Sequence, residues 1–172
     1  MMEFEFLVLD FIYENIKNPY LDFLMPKITA LGNGGLIWIV AAIVLLAIPK
    51  YRKSGIALSL GLLACLVIGN LTLKPLVARV RPYEIVEGIK LLISAPTDFS
   101  FPSGHTLSSV VSASILTMAD KRFGYVAIPL AVLIAFSRLY LYVHFLTDIL
   151  GGVVIGVVIS IAIYYVFYRK KA

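Results

Sequence analysis

The chain has 172 residues, 60% of them hydrophobic and only 15% charged, with a mean hydropathy of +0.95. Soluble domains are about 45–50% apolar and about 25% charged, so a water-soluble globule is excluded, and disorder, a coiled coil and, with Cys65 alone, a disulfide scaffold fall with it. A net charge of +5 does not point to nucleic acid, because the basic residues form no stripe interleaved with exposed aromatics.

Lipid is the remaining solvent for so much apolar surface. The sequence predicts an all-α, polytopic transmembrane helix bundle over residues 1–172 as one membrane-embedded domain. The opening MMEFEF carries acids where a secretory signal carries positive charge, which predicts no processing. Phe4 to Met25 mixes Asp10, Glu14, Lys17 and Asp22 with Phe, Ile, Leu and Tyr. That pattern predicts an amphipathic helix within residues 1–30, lying in the interface or crossing as a sixth helix on the protein-facing side. Pro19 and Pro26 punctuate it, and Gly32-Asn33-Gly34-Gly35 signals a turn.

Five clear spans follow, at Leu31–Ile48, Gly55–Leu73, Thr106–Ala119, Phe123–Tyr142 and Phe145–Tyr168. The third is expected to begin at Pro102 with Ser103 capping it. Between the second and third runs a loop at 80–101, whose IVEGIKLLI stretch reads as a short interfacial helix, is expected to form a lid. Lys50, Arg52 and Lys53, then Asp120-Lys121-Arg122, then Arg169-Lys170-Lys171 fall on one side of five alternating spans. The positive-inside bias makes that side cytoplasmic, with the C-terminus.

Every other unusual residue collects at the opposite, extracytoplasmic end: Lys74, Arg79, Arg81, His105, Arg138, His144 and Asp148. A charge deep in a bilayer costs about 2.5–3.5 kcal/mol, so such a convergence marks a functional site. Arg81 follows Lys74 by seven positions, which on a continuing helix puts both on one face, an ammonium and a guanidinium aimed at one polyoxygen anion. Phe101-Pro102-Ser103-Gly104-His105 opens a helix whose free amides and dipole form an anion seat, with Gly104 allowing close approach and an imidazole alongside. Asp148 follows His144 by four residues, so the carboxylate can hold one ring nitrogen protonated while the other acts as base or nucleophile. Arg138 precedes His144 by six, roughly 120° round a continuous helix; this predicts a break between Tyr140 and His144, with His144 in the first turn of the last span. Singly, each grouping also fits an ordinary role as snorkelling anchor, helix cap or satisfied buried pair. Together they fit a site.

KPLVARVRP, FPSGH and SRLYLYVHFLTD resemble, in order and complete, the three signature motifs of the type 2 phosphatidic acid phosphatase superfamily, which also includes vanadium-dependent haloperoxidases. The resemblance covers Lys74 to Asp148 and implies a helical, metal-independent phosphatase with no cofactor. It implies that His144 attacks phosphorus to form a phosphohistidine, that Asp148 orients it, and that His105 protonates the leaving oxygen. Lys74, Arg81, Ser103, Gly104 and Arg138 then bind the phosphoryl oxygens. The substrate it implies is a lipid phosphate in a bacterial inner membrane, with undecaprenyl diphosphate favoured because the site faces outward. Phosphatidylglycerophosphate, phosphatidic acid and lipid A phosphate stay open, and oligomeric state is not read. An anion transporter would use the same cations near the midplane, but they cluster at one end without an inverted repeat. A bis-histidine haem protein would leave the cations unexplained.

Overall fold

The structure, a computed structural model, describes residues 2–169. Lys170 and Lys171, the rest of the third basic cluster, lie outside the described residues. All described regular elements are helical. They are α1 (Met2–Asn15), α2 (Pro19–Leu31), a 3-10 turn Asn33–Gly35, α3 (Leu36–Ala47), a second 3-10 turn Pro49–Tyr51, α4 (Arg52–Ala64), a π-helical stretch Cys65–Leu73, α5 (Lys74–Val77), α6 (Pro82–Ile85), α7 (Gly104–Ala119), α8 (Lys121–Tyr140) and α9 (Leu146–Phe167).

The amphipathic region is two helices, not one. Pro19 occupies the first position of α2, and Asn18 caps it by accepting from the amides of Tyr20 and Leu21. In α1, Glu5, Leu9 and Ile12 share the buried face while Phe4, Leu7 and Phe11 are exposed. Asp10 accepts from the Tyr142 hydroxyl at 2.6 Å and Asp22 from that of Tyr140 at 2.7 Å. The N-terminal acids thus bind the two helices to the end of α8 and the turn after it.

Between α2 and α3 the chain bends by 45°. Gly34 (φ 57°) and Gly35 (φ 75°) take the left-handed conformation there, which only glycine adopts without steric cost.

Three helical runs, Pro49–Ile85, Lys121–Tyr140 and Leu146–Phe167, are long and apolar enough to cross a membrane, and a fourth is reached if bent α2–α3 counts as one span. The expected third span, α7, has 16 residues. It lies at the centre, packed by α3, α4, α8 and α9, and so needs neither length nor an apolar surface. Its Ser109 accepts from the Trp38 indole at 3.0 Å, and Gly61 and Gly156 let neighbouring helices close on Val111 and Val110. The outer faces carry the apolar groups, Ile43, Leu63, Val132 and Val158 among them, an arrangement stable only against hydrocarbon.

The basic connections gather at one end, as expected. The Tyr51 hydroxyl donates to Asp120 at 3.2 Å, its ring packs on Phe123, and Tyr168 donates to Ser54 at 2.9 Å.

Two expectations for the other end are corrected. The helix bearing Lys74 stops at Val77, because Ala78 turns left-handed (φ 47°); Arg81 then stands in extended backbone as the residue before α6. The IVEGIKLLI stretch forms no helix beyond Ile85; it runs as turn, bends and irregular backbone, with Gly88 at φ 84° breaking helical continuity.

Candidate active site

Two left-handed, non-glycine residues shape this end. Ala78 swings Arg79 to Arg81 back over the bundle, and Tyr142 (φ 59°) reverses the chain after α8. Such residues cost on the order of 1–3 kcal/mol and persist where the surroundings over-determine them. Tyr142 is fully buried and held by Asp10. The break between Tyr140 and His144 is therefore as expected, but His144 lies one residue before the Phe145 cap of α9, outside its first turn. Asp148, three residues after the cap, accepts from the Phe145 amide at 2.8 Å.

The imidazole of His144 is 1% exposed. Its Nδ1 lies 3.4 Å from Asp148 Oδ2, and Arg81 Nη1 lies 3.2 Å from its Nε2. A guanidinium only donates, so Nε2 accepts and the ring proton stays on Nδ1, facing the carboxylate. Burial pushes the His144 pKa well below the ordinary histidine range, and Arg81 adds to this against the opposing pull of Asp148. His144 is thus a neutral imidazole with its lone pair beside the cations.

A cavity of about 430 Å³ is lined by Lys74, Arg81, Gly104, His105, Arg138 and His144, with Thr29, Asn33 and Asp98 also on its wall. Both histidines and all three expected cations therefore meet in one space. Arg138 is buried and lines the cavity; its Nη1 donates to Thr29 Oγ1 at 2.6 Å, while its buried Nε has no partner among the described residues. His105 Nε2 stands 3.0 Å from Asn33 Oδ1. Gly104 begins α7 beside the cavity, and a Cβ there would lie 3.0 Å from Asn70 Oδ1. Ser103 does not line the cavity. Its hydroxyl caps α7, accepting from Thr106 N at 3.4 Å and Thr106 Oγ1 at 3.0 Å. A second cavity of about 460 Å³ shares Lys74, Gly104 and His105 with the first and continues along Ile39, Leu62 and Leu66, residues of α3, α4 and the π-helical stretch.

One acid of the loop, Asp98, sits on the cations. Asp98 Oδ1 accepts from Arg81 Nη2 at 2.7 Å, and its other oxygen pairs with Lys74. Partial burial would raise its pKa, but Lys74 and Arg81 draw it down to about 2. Ser100, fully buried, donates to Asp148 Oδ2 at 2.5 Å. Sequence reasoning left out Asp98, Ser100, Thr29 and Asn33. For Asp98 a signal existed: it is the acid nearest the FPSGH helix start, in a loop running from the cationic KPLVARVRP motif to that anion seat.

The arrangement can bind a group carrying several anionic oxygens, present a neutral imidazole lone pair to it, and offer a second imidazole for proton transfer. Among known proteins, the model of the PAP2 superfamily matches residues 54–172. An undecaprenyl-diphosphatase of Sulfolobus acidocaldarius is 35% identical over 125 residues, 72% of this chain and 60% of that protein, so the chain spans under two thirds of that relative. Phosphatidylglycerophosphatase B of Bacillus subtilis is 33% identical over 84% of this chain and 74% of its own length. The crystal structure of a transmembrane PAP2 type phosphatidylglycerolphosphate phosphatase from Bacillus subtilis superposes with a TM-score of 0.80 at 28% identity, over 99% of this chain and 87% of that one.

Proposed function

The chain belongs to the PAP2 superfamily, and on that premise we propose that it is an integral-membrane lipid phosphatase working through a phosphohistidine, with undecaprenyl diphosphate as its substrate. The observation that carries this reading is one cavity in which two histidines stand among three cations.

Phosphoryl transfer depends on position and on neutralising charge over the equatorial oxygens. Lys74, Arg81, Arg138 and the α7 amides at Gly104 do this; the nearby carboxylates Asp98 and Asp148 are each engaged by cations. His144 Nε2 attacks phosphorus as the P–O bond to the leaving group breaks, and Arg81 passes from the ring nitrogen to a phosphoryl oxygen. His105 gives the leaving oxygen its proton, then takes one from the water whose oxygen displaces His144 and releases phosphate. Asp148 steadies the positive charge that grows on the ring. Ser103 serves through its cap, which fixes the first turn of α7. The reaction as drawn uses no metal: EDTA is expected to leave turnover intact and vanadate to inhibit it.

The apolar second cavity supports a lipid substrate, since a chain running along Ile39, Leu62 and Leu66 leaves its head at Lys74 and His105. With the basic connections inside, the site opens on the outer face of the membrane. Phosphatidylglycerophosphate is the second reading, favoured by the 0.80 superposition. Phosphate release from a panel of lipid monophosphates and diphosphates in mixed micelles tests both. Turnover of the isoprenoid diphosphate above the glycerolipids is the expected result, the reverse order favours the second reading, and inactivity on all of them removes the proposal.

A further inference from the structure

Arg79 lies inside the first motif region but points away from the cations there. Its Nη1 donates to Asp148 Oδ1 at 2.6 Å and to Thr147 Oγ1 at 2.7 Å, and its guanidinium lies over the Phe145 ring at 4.1 Å. Its Nη2 donates to Glu5 Oε1 at 2.9 Å. Glu5 is 2% exposed, the one charged residue on the buried face of α1, where Leu9 and Ile12 are its neighbours. It also accepts from the Thr147 amide at 3.2 Å and from the Thr147 hydroxyl. A buried carboxylate on an otherwise apolar stripe is costly unless charge and hydrogen bonds satisfy it, and each partner named leads toward Asp148.

We propose that Glu5 and Arg79 form a clamp behind Asp148, through which the N-terminal helix positions the carboxylate that orients His144 and sets its charge. This rests on the phosphohistidine reading above. The geometry divides the labour on Asp148: Oδ2 faces His144 Nδ1, Ser100 and the Phe145 amide, and Oδ1 is held by Arg79. Without Arg79, one oxygen of a fully buried carboxylate loses its charged donor and the group is held through Oδ2 alone. Without the Glu5 charge, an uncompensated guanidinium sits on Asp148 and cancels the negative field that His144 needs as it becomes positive. Glu5 and Arg79 touch no substrate; both are positioning residues.

Because they carry opposite charges, their removal has opposite electrostatic consequences at His144. The other charged and titratable groups facing that ring stay as they are: Arg81 from the extended segment, Lys74 from α5, Asp98 from the loop, His105 from α7, Arg138 from α8 and Asp148 from α9. Arg79→Gln leaves a net gain of negative charge and moves the acid limb of kcat/KM to higher pH. Glu5→Gln leaves a net gain of positive charge and moves it to lower pH. Loosened packing would let water reach His144 in both variants and move both limbs the same way.

The experiment is steady-state phosphate release from an isoprenoid diphosphate in detergent micelles, measured against pH for the wild-type, Arg79→Gln, Arg79→Lys, Glu5→Gln and His144→Ala proteins. Arg79→Gln is expected to lose roughly ten- to a hundredfold in kcat, as when an outer partner of a functional histidine is removed, with KM within about twofold and part of the loss restored by lysine. The two neutral variants are expected to shift the acid limb in opposite directions. Wild-type kcat in Arg79→Gln, or limbs that move together, overturns the clamp. Should Arg79→Gln fail to fold, as judged by gel filtration in detergent, the direction of the Glu5→Gln shift decides alone. An inactive His144→Ala beside a normal Arg79→Gln sinks only this inference, whereas an active His144→Ala sinks the mechanism it rests on.

Discussion

The part of the chain that carries the motifs, Lys74 to Asp148, and the N-terminal third that carries none meet the substrate cavity in different ways. The first supplies every group that our mechanism places on the phosphoryl group or its leaving oxygen. The second supplies partners to two of those groups, Thr29 to Arg138 and Asn33 to His105, and one, Glu5, to Arg79, which stands behind Asp148. Chemistry restricts the first set to few residue types at fixed spacing. Holding a side chain in place asks only for a donor or acceptor at the right point in space, which many residues at many positions can provide.

The comparison breaks most sharply at His144. His144→Ala is expected to reduce phosphate release to background, on the order of 10⁴-fold or more, and Asp148→Asn to cost about 10³- to 10⁴-fold, the scale for a nucleophile and its orienting acid. Substantial turnover in His144→Ala would dissolve the distinction, since the motif residues would then be scaffold too. Arg138→Met, which removes one of the three cations lining the cavity, is expected to cost about 10²- to 10³-fold in kcat.

What could be read beforehand follows the same division. Lys74, Arg81, Gly104, His105, Arg138 and His144 were legible because cations and imidazoles are conspicuous in apolar sequence and their spacing is fixed. The shape that brings them together was less so. The left-handed turns at Ala78 and Tyr142 carry residues with no preference for that conformation; tertiary contacts such as Asp10 to Tyr142 impose it. A straight helical reading therefore placed Arg81 on a helix that ends at Val77 and His144 in the first turn of a helix that begins only after it. Helix α7 read as an ordinary span because local hydropathy does not reveal that its neighbours shield it. Asp98 looked like loop charge until the fold set it on Lys74 and Arg81.

Smaller effects belong to the N-terminal partners. Thr29→Val keeps the shape but removes a hydrogen bond to a buried guanidinium, which is expected to lower kcat/KM about tenfold. Asn33→Ala is expected to act only where His105 must give a proton. Lipid esters should slow by about tenfold, while a nitrophenyl phosphate, whose leaving group needs no proton, should keep its rate. Equal losses on both substrates would demote Asn33 to packing.

The pH profile sharpens the same boundary. His144 has a depressed pKa, so it stays neutral as pH falls through about 6.5, the ordinary histidine value, and protonates only at the lower one. The acid limb of kcat/KM, which reports the free enzyme, is therefore expected well below pH 6.5. A limb at or above that value would mean that water reaches the ring and that the partners seal it poorly.

The smallest expected effect tests the loop. Asp98 is half-exposed yet sits on Lys74 and Arg81, the cations our proposal gives to phosphate, where an incoming phosphoryl group would have to displace it. Ion pairs with a solvent-exposed partner contribute about 0.2–1 kcal/mol, so Asp98→Asn is expected to tighten vanadate binding by only about two- to fivefold. If its role is instead to hold Lys74 and Arg81 in register for the phosphoryl oxygens, the same substitution weakens vanadate binding. The sign of the change, read by inhibition of phosphate release, separates a competitor for the cations from a support like those of the N-terminal third.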